Sequence, residues 1–129
     1  MNCVRISAIR ANLLNASFAN NSKVILLAFG EAEGEVRAVA GYRYLESLCS
    51  GKFIYVDDLV TLERDRSRGF GGQLLEWLVE QARAQNCQQL ELDSGVQRFE
   101  AHRFCFLNRM KIASYHFSIK TKTEKLEMS

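Results

Sequence analysis

The sequence predicts a single mixed α/β domain in which antiparallel strands are followed by a strand, helix, strand crossover within one splayed sheet. Three observations predict it. Residues 24–29, 36–45 and 53–62 are short apolar or alternating stretches separated by turn-forming residues, as hairpin-connected strands are. A basic, glycine-rich loop follows the third of them: Arg66, Ser67, Arg68, Gly69, Phe70, Gly71 and Gly72. From that loop opens a helix with Leu74, Leu75, Leu78, Val79 and Ala82 on one stripe, and the next apolar stretch, residues 87–92, returns as a strand parallel to the one before the loop.

Taken in order, residues 3–19 carry Val4, Ile6, Ile9, Leu13, Leu14 and Phe18, a pattern closer to helix than strand, and Asn20, Asn21 and Ser22 break it. Residues 24–29 form a continuous apolar run suited to a strand covered on both faces. Gly34 lies inside a hairpin loop at 31–35, and the return strand places Val36, Ala38, Ala40, Tyr42 and Tyr44 on one face. Residues 49–52 turn the chain into the third strand. After the amphipathic helix, Asn86 suits a left-handed helix end. Residues 96–108 read as a second helix, with Phe99, His102, Phe104 and Phe106 as its packed side. Residues 111–119 alternate as a half-buried strand should, and residues 120–129 form a polar tail.

Composition narrows the function. With 129 residues the chain makes one domain spanning 1–129, and its 47% hydrophobic and 25% charged content is that of a globular protein. A formal charge of +2 gives no footprint for nucleic acid. No apolar run approaches a membrane span and no signal-peptide pattern opens the chain, so a cytoplasmic location is expected. Cys3, Cys49, Cys87 and Cys105 form no C-x-x-C pair, and with two histidines a metal site is not expected.

The chemistry should gather at the loop. Glycines permit left-handed backbone and close approach, and the first turn of the following helix offers unpaired N–H groups at the positive end of its dipole. That is an anion site, with Arg66 and Arg68 adding charge suited to phosphate. The dinucleotide fingerprint does not fit, because Leu74 stands where its last glycine would fall, and the P-loop is excluded because the loop ends Gly71-Gly72-Gln73. Upstream, Asp57 and Asp58 interrupt an otherwise buried-looking strand. They either reach solvent or substrate, or fix the strand by hydrogen bonds.

Arg66-x-x-Gly69-x-Gly71, set between a strand and a leucine-rich helix, resembles the acetyl-CoA pyrophosphate loop of the GCN5-related N-acetyltransferases (GNAT), and the resemblance extends over roughly residues 23–119. It implies a GNAT-like fold, acetyl-CoA as cofactor and transfer of the acetyl group to the amine of a small molecule by direct attack. It places the pantetheine arm along the main chain of Leu59, Val60, Thr61 and Leu62, and the pyrophosphate on the loop from Arg66 to Gly72. It gives Asp57, with Asp58 beside it, the position of the general base. The family's second helix reads Asn-x-x-Ala, then aromatic-Tyr, then Gly-Phe, and here Ala101 and Phe104 match. Arg98, Cys105, Arg109 and Met110 depart, so Cys105 stands where the tyrosine that protonates the leaving thiolate is expected. Tyr55, Tyr115 and His102 are other candidates for acid-base work. The departures, with a short region before residue 23, admit an alternative: a CoA-binding domain with lost catalysis that serves a regulatory or partner role. Homodimer formation, through the apolar N-terminal segment, is also implied.

Overall fold

In the computed structural model, residues 5–12, 24–62 and 69–122 are described. Five strands form one sheet in the order β1 (Arg5–Asn12), β2 (Val24–Ala32), β3 (Glu35–Ser47), β4 (Gly51–Thr61) and β5 (Gln89–Leu92). The first three pairings are antiparallel and the last is parallel. Helix α1 (Phe70–Ala84) joins β4 to β5, and α2 (Phe99–Leu107) follows β5. The crossover is the one the leucine stripe predicts.

The β2–β3 hairpin closes through Glu33 and Gly34, whose φ values of 55° and 77° give the turn the twist that right-handed strands need. α1 buries Phe70, Leu74, Leu75, Leu78 and Ala82, with Val79 half-buried, so the predicted stripe is the packed face. Beneath it lie Ala28, Ala38, Ala40, Tyr42, Ile54 and Val56. Small residues in β2 and β3 let the helix sit close, and Tyr42 fills the remaining width by meeting Trp77 edge-on at 6.3 Å. The helix ends as its sequence suggests, with Asn86 at φ 58° and Cys87 donating back to the Ala82 carbonyl at 2.8 Å.

Four expectations are corrected. Residues 5–12 are a strand: β1 pairs with β2 from Arg5↔Glu31 to Asn12↔Val24, and a ladder along a long edge outweighs a weak helical pattern. Residues 13–23, which share that helical expectation, lie outside the described residues. Val36 leaves the buried row and is 40% exposed, because the β2–β3 register skips Arg37 and breaks the alternation. α2 has no buried residue; Phe99 and Phe106 are exposed, while His102 and Phe104 are half-buried. Residues 111–119 lie outside any strand pairing and are exposed throughout. Of the polar tail, residues 120–122 are exposed and 123–129 lie outside the described residues.

Burial pushes the Tyr42 hydroxyl up to about 12, with the neighbouring Tyr44 adding to the rise. The fold therefore favours the neutral phenol. The stability this confers is full below the free tyrosine pKa near ~10 and is lost as pH climbs through 12. Thermal melts followed between pH 10 and 12 should show a falling midpoint, and Tyr42→Phe should remove part of that fall.

Candidate active site

The site begins with one extra residue in β4. In the β3–β4 ladder Gly41 pairs with Asp58 and Tyr42 with Val56, which leaves Asp57 unmatched as a bulge. Before the bulge, Ile54 and Val56 face α1; after it, Leu59 packs against the same core and Thr61 lies beside Gly71 of α1. Asp57 and Asp58 consequently share the opposite face of the sheet. Asp57 meets Arg43 there, and the Asp58 carboxylate lies 3.7 Å from where a Gly41 side chain would begin.

The two carboxylates differ in freedom. Arg43 grips Asp57 with two parallel hydrogen bonds, Nε to Oδ2 and Nη2 to Oδ1, each 2.8 Å. That fork raises the Arg43 guanidinium further above its ordinary value. Asp58 is exposed, and among the described residues its carboxylate has no hydrogen bond or ion pair. Arg43 was missed in the sequence, although a signal exists: a hairpin turning at 48–50 sets Arg43 opposite Tyr55, and Asp57 is two residues further along on the same face.

The polar contacts continue from that fork. The Arg43 guanidinium lies 5.3 Å from the Tyr55 ring centre, and the Tyr55 hydroxyl donates a hydrogen bond to Asp93 Oδ2. That bond, together with burial and the nearby carboxylates, pushes Tyr55 up to about 12. A phenol held this way keeps its proton, so Tyr55 is unsuited to deliver one. Asp93 does not cap α2, whose N-cap Arg98 has no side-chain cap bond. His102 uses Nε2 to donate to the Gly95 carbonyl at 2.8 Å and packs edge-on to Phe99, which is a structural role. Tyr115 is exposed. Burial pushes the half-buried Cys105 thiol up from its ordinary value, so it stays protonated and a weak nucleophile.

β5 accompanies β4 only over Phe53–Val56, paired with Gln89–Leu92. Beyond Val56, the edge of β4 that carries Leu59, Val60 and Thr61 has no strand beside it among the described residues. Where the two strands part, the Ser94 hydroxyl is buried and, among the described residues, the one buried side-chain polar atom with no partner. Beyond the same edge α1 begins at Gly69, with φ 84° and ψ 6°, no side-chain cap and no acidic residue in its first turn. An open strand edge, an orphaned hydroxyl and an uncapped helix start suit an elongated, anion-ended cofactor such as acetyl-CoA.

The glycines divide the work. Gly69 supplies the left-handed turn and has open space around it, while a Cβ on Gly71 would stand 3.1 Å from Thr61 Oγ1 and 3.3 Å from Phe104 Cε2. A Cβ on Gly72 would meet Asn108 Oδ1 at 3.2 Å. Gly71 and Gly72 thus seat α1 against β4 and the α2 region. Arg66, Ser67 and Arg68 lie outside the described residues.

A mixed sheet whose parallel pair parts after Val56, with the start of α1 beside the gap, is an arrangement that known proteins share. The chain belongs to the acetyltransferase (GNAT) family, whose model matches residues 6–105. It is 37% identical over 84 residues to the uncharacterized N-acetyltransferase YhdJ of Bacillus subtilis, covering 64% of this chain and 58% of that protein. It is 33% identical over 63 residues to the aminoalkylphosphonate N-acetyltransferase of Salmonella typhimurium, covering 49% of this chain and 41% of that one. The matches therefore span about half the length of these curated relatives. Among solved structures, the aminoglycoside N-acetyltransferase AAC(6')-Iy in complex with CoA superposes with TM-score 0.71 at 9% identity, over 94% of this chain and 97% of that one. Glucosamine-6-phosphate N-acetyltransferase from Arabidopsis thaliana superposes with TM-score 0.61 at 20% identity, over 76% of this chain and 67% of that one. At such identities the likeness shows the fold.

The fork predicts a contrast in stability. Asp57→Asn removes one charge from a part-buried pair and should cost about 1–3 kcal/mol in urea unfolding, whereas Asp58→Asn should change little.

Proposed function

We propose that this protein is an acetyl-CoA-dependent N-acetyltransferase acting on the amine of a small molecule. The observation that carries the reading is the edge of β4 past Val56, which leads from the paired aspartates to the uncapped start of α1. Acetyl-CoA supplies the activated acetyl thioester. Main-chain groups of Leu59, Val60 and Thr61 hold its pantetheine arm, and Ser94 offers a hydroxyl beside that path. The N–H groups of Phe70, Gly71 and Gly72, with Arg66, Ser67, Arg68 and Gly69 before them, take the pyrophosphate.

An amine must lose a proton to attack. Between the two carboxylates we assign that task to Asp58. Asp57 was the position the resemblance gave, but both its oxygens already accept from Arg43, and taking a proton would break one of those bonds. Asp57 becomes a positioning residue that sets the bulge and so the direction of Asp58. Cys105, protonated and half-buried on α2, is assigned the donor's position for the departing thiolate. A small acceptor is favoured by the relatives whose names specify one: an aminoglycoside, an aminoalkylphosphonate and glucosamine 6-phosphate. A cytoplasmic location, where acetyl-CoA and reduced thiols occur together, belongs to the same reading.

A second reading, a cofactor-binding domain without efficient transfer, rests on Cys105 standing in the place of a tyrosine. Calorimetric titration with acetyl-CoA tests the shared part of both readings. Binding is expected, and Arg68→Glu should weaken it about tenfold or more, as loss of one charge-assisted phosphate contact does. Absence of binding by the unaltered protein defeats both. Turnover of an amine panel then separates them. Asp58→Asn should lower kcat by about a hundredfold or more with acetyl-CoA affinity retained, and Asp57→Asn by less. A large gain from Cys105→Tyr would favour the second reading.

A further inference from the structure

The segment that follows β5 is pinned on both sides of Ser94. Before it, Asp93 Oδ2 accepts the Tyr55 hydroxyl. After it, the Gly95 carbonyl accepts from His102 Nε2 at 2.8 Å and from the Arg98 backbone N–H at 3.0 Å. Between these anchors the Ser94 hydroxyl is shut away from solvent, with no hydrogen-bond partner among the described residues. Such a hydroxyl lowers stability, because it has given up water and gained nothing in return. Its retention between two anchored neighbours asks for a ligand that it meets.

The position of Ser94 narrows that ligand. Val56 and Leu92 form the last pair of β4 with β5, and from there the two strands part. Asp58 stands two residues beyond Val56 on one side of the gap, and Ser94 two residues beyond Leu92 on the other. Thr61 and Gly71, where the path reaches the start of α1, lie further along β4. Ser94 is thus placed with the candidate base, at the acyl end of the path. The residue as a whole is half-buried, and its neighbours are fixed, so χ1 is the freedom that remains to it.

We infer that Ser94 is a further catalytic residue of the acetyl transfer: its hydroxyl turns about χ1 into the gap and donates to the thioester carbonyl oxygen. The inference rests on the acetyltransferase reading above. The amine, after giving one proton to Asp58, forms a C–N bond to the carbonyl carbon, and the π pair of the C=O bond passes to oxygen. That pair returns as the C–S bond breaks. Sulfur leaves with the bonding electrons and takes up one proton, while nitrogen releases another. Ser94 keeps its own proton throughout. A serine hydroxyl is too weak an acid to protonate a thiolate, but as a hydrogen-bond donor it meets the charge that gathers on oxygen, and the bond strengthens as that charge develops.

Ser94→Ala tests this. Because the hydroxyl removed has no partner in the fold, the thermal midpoint should hold or rise. Calorimetric affinity for CoA, which lacks the thioester carbonyl, should not change. With acetyl-CoA carrying carbon-13 at that carbonyl, the infrared stretch of the bound thioester should lie at higher frequency in the variant than in the unaltered protein, since a hydrogen bond to oxygen has gone. In turnover of the amine panel, kcat should fall about a hundredfold, the cost of one lost oxyanion donor. An unchanged stretch with unchanged kcat overturns the inference and leaves the acetyltransferase reading standing. A loss of CoA affinity with an unchanged stretch places the hydroxyl on the pantetheine arm and overturns it too, as does a lowered midpoint with an unchanged stretch, which gives the hydroxyl a structural partner. Where acetyl-CoA binds but no amine is turned over, the stretch alone decides. Failure of the unaltered protein to bind acetyl-CoA defeats that reading and this inference with it.

Discussion

One unmatched residue in β4 sets the geometry on which the rest of this molecule depends. A strand alternates its side chains strictly, so the Asp57-Asp58 pair would otherwise be split between the core under α1 and the opposite face. Burying a carboxylate among Ile54, Val56, Leu74 and Leu78 without partners would cost several kcal/mol. The bulge avoids this by sending both carboxylates away from α1 and returning Leu59 and Thr61 to it. It falls directly after the last β4 residue that β5 accompanies, so the bend and the parting of the two parallel strands occur together.

A second bulge supports the other side of the same region. Arg37 is skipped in the β2–β3 register, yet it is buried at 8% exposure. Its guanidinium donates to the Ala32 carbonyl, pairs with Glu33 and Glu35, and lies 5.9 Å from the Phe70 ring centre at the first residue of α1. Buried charge is tolerated because it is partnered, and here the partners tie the hairpin end to the helix start. Gly71, wedged between Thr61 and Phe104, fixes the remaining approach. The helix start beside the open edge of β4 is thus held by tight packing and by the buried Arg37 guanidinium, whose carboxylate partners lie at the surface.

Much of this was legible residue by residue. Leu74, Leu75, Leu78 and Ala82 read as a buried stripe because helical period is a local property, and Asn86 read as a helix end for the same reason. The loop arginines and glycines pointed to an anion by chemistry alone. The N-terminal strand was misread because its partner decides it: Ile6 packs on the core only once β2 offers an edge. Arg43 escaped notice because its value lies in a partner fourteen positions away. Residues 111–119 alternate as a strand would, yet among the described residues no strand pairs with them, so the expected strand is not formed.

By itself the sequence determined the crossover, the leucine face of α1, the glycines that open it and the presence of two carboxylates in the strand before it. Those follow from short-range spacing, backbone permissiveness and side-chain type. Only the tertiary structure decided that the carboxylates share a face, that Arg43 occupies one and leaves the other exposed, and that residues 111–119 stay exposed outside the sheet. Each of these depends on register, and register is fixed when distant segments meet and one extra residue shifts which side chain faces which.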